Sequence, residues 1–156
     1  MRTFVGLLVA VWIAGPTGSA SSSDLTDAKS FELKFGILSE PQPRRYLLKR
    51  QTTTIPKCVY ADTGFLFGYI IQEKSSKPFR LETVLHLPEN PKVLSGALAH
   101  QQASRVLRSP PKDLNGSGAS GFRFDSGDPS GQYKIEFYVD EKLLRAIEFV
   151  VSESCE

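Results

Sequence analysis

Two imidazoles, two thiols and a few paired carboxylates are the groups in this sequence that could do chemistry. His86 and His100 are the candidate general bases, because imidazole exchanges a proton near neutral pH. Neither has a Ser, Cys or acid beside it in a recognisable motif, and both read as ordinary surface histidines. A triad assembled from distant parts of the chain stays open, since its members need not be neighbours in sequence. Asp125 with Asp128, and Asp140 with Glu141, are the nearest carboxylate pairs, the residue types that cleave glycosidic bonds. Each pair lies in a turn, where acids are common because their side chains bond the nearby backbone. The two acids of Asp125-Ser126-Gly127-Asp128 are few for calcium, and no calcium-hand pattern surrounds them. Gly116, Gly118 and Gly121 lack the strand-to-helix context and the Lys-Ser/Thr ending of a phosphate loop, and read as a flexible tip. No catalytic residue, metal ligand or cofactor is assigned.

The densest charge cluster is Arg44, Arg45, Lys49 and Arg50, with Tyr46 inside it. On a regular strand Tyr46 and Arg50 share one face, and Arg45 and Lys49 the other. A phosphate, an anionic glycan or an acidic protein could bind there. The same charges could instead guard an edge strand against sheet-to-sheet aggregation. Nucleic acid is not the expected partner, since export and a near-neutral charge both argue against it. Asn115-Gly116-Ser117 is a glycosylation sequon that counts only in a eukaryotic source.

The compartment is read from the first residues. Arg2 precedes an apolar run from Phe4 to Ala14, which Gly15 and Pro16 break before Gly18-Ser19-Ala20. The run is too short for a membrane span and has the form of a secretory signal cut after Ala20. The expectation is an exported protein, periplasmic or secreted, with no membrane span after cleavage. Residues 21–30 read as a disordered leader, and 31–156 as a single domain with an irregular segment at 88–120. Cys58 and Cys155 would then meet an oxidising compartment, and a disulfide between them is expected. In the chain-entropy model a loop of about a hundred residues is worth up to about 4.7 kcal/mol.

Charge is spread unevenly along the chain. Residues 41–112 hold twelve Lys/Arg and four Asp/Glu, 12 − 4 = +8, and residues 113–156 hold four and nine, 4 − 9 = −5. Such asymmetry points to an anionic partner unless interleaved strands mix the two halves.

The elements that must position these groups are strands. Phe31, Leu33, Phe35 and Ile37 alternate with Glu32 and Lys34, the period of a half-buried strand. Tyr46 to Ile55 reads as a polar edge strand, and Phe65 to Gln72, apolar on both faces, as a central one. Phe79 to Leu87 alternates with Arg80, Glu82 and His86 outward. The stretch 88–120 has no clean period; a short helix over 95–107 is the one element it suggests. Tyr133 to Val139 and Leu143 to Val151, joined at Asp140-Glu141-Lys142, form the clearest hairpin. With a short strand suggested at Phe122 and Phe124, about seven strands predict an all-β, immunoglobulin-like two-sheet antiparallel sandwich, with a small β-barrel as the alternative. Gly131-Gln132-Tyr133 is similar to the tyrosine corner of such sandwiches, although Pro129 stands where immunoglobulin domains carry Asp.

Several segments carry a family resemblance: Phe35-Gly36-Ile37, Thr52-Thr53-Thr54-Ile55-Pro56, Gly64-Phe65-Leu66-Phe67-Gly68-Tyr69, and the ending from Gly131-Gln132-Tyr133 through Lys142-Leu143-Leu144 to Phe149-Val150-Val151. Together they resemble a family of small exported bacterial β-domains known as a domain of unknown function. Tyr133 departs from the tryptophan expected near the start of the penultimate strand. The resemblance implies an exported β-domain and no activity. The function expected is a non-enzymatic interaction module for a protein, peptide or glycan partner. The alternatives are a small hydrolase with dispersed residues around His86, and an inhibitor or chaperone that offers an edge strand to an exported client.

Overall fold

The computed structural model describes residues 29–57, 66–90, 104–124 and 127–154. Among them are ten strands: β1 (Phe31–Gln42), β2 (Arg45–Gln51), β3 (Thr54–Pro56), β4 (Phe67–Glu73), β5 (Pro78–His86), β6 (Val106–Arg108), β7 (Lys112–Asn115), β8 (Ser117–Phe122), β9 (Gly131–Val139) and β10 (Lys142–Ser152). One sheet has the order β2-β1-β4-β8, the other β3-β10-β9-β5-β6, with β7 also on β5. Both sheets keep open ends, so the fold is a sandwich and not a barrel. Alternation places the core. Tyr133, Ile135, Phe137 and Val139 of β9 are buried, as are Phe79 and Leu81 of β5, and they face Phe35, Ile37, Phe67, Tyr69 and Ile71 from the other sheet. Tyr69 reaches across to Thr83 and also bonds Ser120, while burial pushes its phenol up to about 12. The buried Thr83 hydroxyl in turn lies 3.0 Å from Ser109 Oγ, so the polar atoms inside the sandwich are bonded to one another.

The strand count exceeds the expected seven because one expected strand divides and the segment 88–120 holds strands of its own. Tyr46 to Ile55 is not one strand. Thr54 N donates to Thr52 Oγ1 at 3.1 Å, and this local turn ends β2 and redirects the chain. β3 then joins the other sheet, parallel to β10, with Thr54 opposite Val150. The segment 88–120, expected to be irregular, holds β6, β7 and most of β8. Its period is hidden by Pro110 and Pro111, which cannot donate to a ladder. Ser109 bridges that gap, its N–H donating to the Thr83 carbonyl and its Oγ accepting from Thr83 N at 2.9 Å. Where the helix was expected, Val106 and Leu107 are strand residues, and 95–103 lie outside the described residues. Gly116, φ 71°, turns the chain from one sheet into the other. Gly118 and Gly121, expected in a flexible tip, are strand residues paired with Ile71 and Gly68.

Tyr133 makes the corner that its position suggests. Its hydroxyl donates to the Pro129 carbonyl at 2.5 Å, four residues back. The acceptor is main chain, so proline serves where an acid was expected. Burial and the nearby Asp128 and Glu89 push the Tyr133 phenol up, which keeps the donor protonated.

Candidate functional site

The basic cluster lies on the β1–β2 hairpin. Pro43 and Arg44 form its two-residue turn between Gln42 and Arg45. Pro at the first central position and a left-handed residue at the second is the type II pattern, which ordinarily takes glycine at that second place. Arg44 adopts it with φ 65°, and its N–H donates to Glu40 Oε1 at 2.8 Å. Arg44, Arg45, Lys49 and Arg50 are all exposed. Among the described residues no carboxylate forms an ion pair with any of them, and no acidic residue stands between Glu40 and Asp62.

Tyr46 does not stand free among these cations. It is half-buried, and its ring lies so close over Gly121 that a Cβ there would be 2.8 Å from Tyr46 Cε1. Tyr46 therefore fastens the hairpin to β8. The regular faces expected for this strand are also broken. Ile37 pairs with Arg50 and Leu38 with Leu48, so Lys49 is the extra residue of a bulge. Tyr46 and Leu48 turn inward, while Arg45, Leu47, Lys49 and Arg50 are exposed. β2 ends one sheet, and β6 of the 88–120 segment ends the other.

A second cluster lies on the outer face of the other sheet. β5 pairs with β9 so that His86 is opposite Lys134 and Val84 opposite Glu136. Lys134 Nζ lies 2.7 Å from Glu136 Oε1, and His86 Nε2 lies 3.2 Å from Oε2. The Tyr138 hydroxyl donates to the same Oε2 at 3.1 Å. Arg108 pairs with Glu82 alongside. His86 Nε2 is buried, close enough for electrostatic contact and too poorly aimed for a hydrogen bond. The Lys134 ammonium chiefly, with smaller help from His86 and Tyr138, holds the Glu136 carboxyl down to about 2 against the opposing effect of burial. A carboxylate lowered on folding stabilises the fold above its unfolded pKa of 4.5, and that contribution is lost as pH falls through about 2. Wild type should therefore exceed Glu136→Gln in stability at pH 6, by about 1 kcal/mol or less because Lys134 is solvent-screened. The gap should close between about pH 4.5 and 2. Urea melts at stepped pH check it, and a gap constant with pH would refute the assignment.

The remaining candidates have structural work. Asp140 Oδ1 accepts from Arg80 N at 2.9 Å, as a turn acid would. The Asp128 carbonyl accepts from Lys57 Nζ, which also lies 3.7 Å from the Glu153 carboxylate. Asn115 ends β7 in an exposed position beside Gly116. His100, Asp125, Cys58 and Cys155 lie outside the described residues. Among the described residues no three His, Cys, Asp or Glu are grouped as metal ligands, and no helix is long and apolar enough to cross a membrane.

The architecture has known counterparts. A family model matches residues 34–152, from the first strand to the last. The chain belongs to the PM0630 beta sandwich domain family. Among solved structures, an immunoglobulin-like protein of Pseudomonas aeruginosa superposes with a TM-score of 0.52 at 16% identity, over 78% of this chain and 92% of that one. That similarity shows an immunoglobulin-like sandwich and nothing of function. An alkylpurine DNA glycosylase of Pseudomonas fluorescens, bound to DNA containing an abasic site analogue, aligns over 77% of this chain and 30% of its own at 11% identity. Its TM-score of 0.31 carries no argument. No curated protein matches the sequence.

Within this PM0630 domain the glycine–aromatic motifs turn out to be partners. Phe35 pairs with Tyr69, Gly36 with Gly68 and Ile37 with Phe67. The Glu136 cluster escaped the sequence reading. Lys134, Glu136 and Tyr138 show their shared face by spacing alone, but nothing in the sequence says that β5 lies beside β9 and brings His86 to them.

Proposed function

We propose that this PM0630 domain is a non-enzymatic binding module, exported to the periplasm or secreted, that docks a protein, peptide or glycan partner on the β1–β2 hairpin. The observation that carries the reading is the exposed charge of Arg44, Arg45, Lys49 and Arg50, which no carboxylate pairs among the described residues, on a hairpin held in place by Tyr46. The left-handed Arg44 adds to it, because a non-glycine residue is kept in a strained turn where its charge stands at the tip. The test is capture from the native envelope fraction by the mature protein and by a quadruple serine variant at Arg44, Arg45, Lys49 and Arg50. Partners retained by wild type and released by the folded variant support the reading. Identical retention by both overturns it.

A Cys58–Cys155 bridge belongs to the same reading of an exported chain. Its support is the parallel pairing of β3 with β10, where Lys57 N donates to the Ser152 carbonyl at 2.7 Å, so the segments leading to both cysteines run side by side. The purified exported chain should have an intact mass two hydrogens below the reduced value; equal masses would exclude the bridge.

The hydrolase reading has one observation in its favour, the contact between His86 and Glu136. A carboxylate that orients an imidazole is part of many acid–base sites. Turnover of an ester, glycoside or peptide substrate that disappears in His86→Ala would replace the binding reading with that one.

A further inference from the structure

We infer that the β2 edge accepts a short, extended, acidic segment of a partner protein as an added strand; this rests on the docking reading above. β2 is the last strand of its sheet, hydrogen-bonded to β1 on one side and, among the described residues, to no strand on the other. Such an edge presents unpaired main-chain N–H and C=O groups, which an extended peptide satisfies. β2 runs over seven residues, enough for a segment of about 23 Å.

The side chains select the partner. Leu47, 49% exposed, offers an apolar contact, and Arg45, Lys49 and Arg50 flank it with positive charge. A bulge and cationic side chains are the ordinary devices that keep a neutral strand off an edge. Against an acidic strand the same cations attract. A second copy of this chain is a poor occupant, because pairing β2 with β2 sets these cations against one another, and like charges across a ladder destabilise it. A nucleic-acid strand is also a poor fit. The one aromatic ring of the cluster, Tyr46, is packed over Gly121 and gives no stacking platform. The fastened hairpin means that little ordering is required when a partner docks.

The test uses a capped nine-residue peptide that alternates Glu with Val or Thr, followed by fluorescence anisotropy against the mature protein. Two further peptides carry N-methyl groups on the odd or on the even amides, which blocks hydrogen bonding along one edge at a time. The parent peptide should bind, and affinity should fall about tenfold or more in folded Arg45→Ser/Lys49→Ser. One of the two methylated peptides should lose at least as much while the other binds like the parent. Equal binding by all three peptides would overturn strand addition and leave docking on the hairpin standing. So would absence of peptide binding by a protein that still binds pyrophosphate through the same cations. Envelope capture that does not differ between wild type and the quadruple serine variant would remove both readings together.

Discussion

Replacing Gly68 by alanine lowers stability by about 3–5 kcal/mol, the sum of a backbone-strain cost and an overpacking cost. Domains of this size are stable by only about 5–15 kcal/mol, so the variant should be largely unfolded at physiological temperature or melt far below wild type. The cause lies in the middle of the first sheet. β4 passes between β1 and β8, and Gly68 has φ 157°, a conformation that side-chain-bearing residues rarely adopt. A Cβ at this position would lie 2.0 Å from the Ser120 carbonyl oxygen. That oxygen is main chain in a paired strand and cannot move without opening the β4–β8 ladder. Gly36, the partner of Gly68 across β1, is held in the same way, with its Cβ position 2.1 Å from the Arg50 carbonyl oxygen. Gly118→Ala is the control. Its Cβ would meet Leu114 Cδ1 at 2.5 Å, the far end of a flexible side chain. The cost there should be about 1 kcal/mol or less. Thermal melts of the two alanine variants decide the matter, and similar melting temperatures for both would show that the backbone at Gly68 has room to adjust.

The glycine–aromatic motifs could be recognised in the sequence, but their pairing could not. Alternation marks which residues of β4, β5 and β9 turn inward, because a strand has one period and two faces. It contains nothing about which strand lies beside which. That is why the core was legible and the Glu136 cluster was not: Lys134, Glu136 and Tyr138 come from one strand, His86 from another, and only the β5–β9 pairing joins them. The strand switch at Thr52 and the gap at Pro110–Pro111 were hidden for a different reason. Each depends on a hydroxyl standing in for a main-chain partner, Thr52 Oγ1 in one case and Ser109 Oγ in the other. A serine or threonine in a polar stretch carries no mark that sets such a use apart from ordinary exposure. The basic hairpin lies between these cases. Its charges were evident from the sequence, while the bulge at Lys49 and the burial of Tyr46 required the register.

Truncating Phe149 to alanine should cost about 3–5 kcal/mol, a fall of about 10–20 °C in melting temperature for a domain of this size. Phe149 is 1% exposed. It projects from β10, and its ring meets Tyr133 of the same sheet at 5.2 Å between centroids, then Phe35 and Phe67 of the facing sheet at 5.0 and 6.0 Å. Phe67 in turn contacts Phe122 and Phe124 at 5.6 and 4.4 Å. The two sheets are thus joined through one chain of rings, with Phe149 as a link between the layers. Removing it deletes apolar contact and leaves a void whose walls belong to different sheets and cannot close together. Two companions separate this cause from a general intolerance of change in β10. Phe149→Leu keeps most of the volume and forfeits the aromatic geometry, worth about 0.5–1.5 kcal/mol. Leu143→Ala, at a site 55% exposed, should stay within about 0.5 kcal/mol of wild type. Guanidinium melts of the three variants should rank alanine at 149 far below leucine at 149, and leucine at 149 below alanine at 143. If Phe149→Ala and Leu143→Ala melt together, the sheets are held by something other than this aromatic contact.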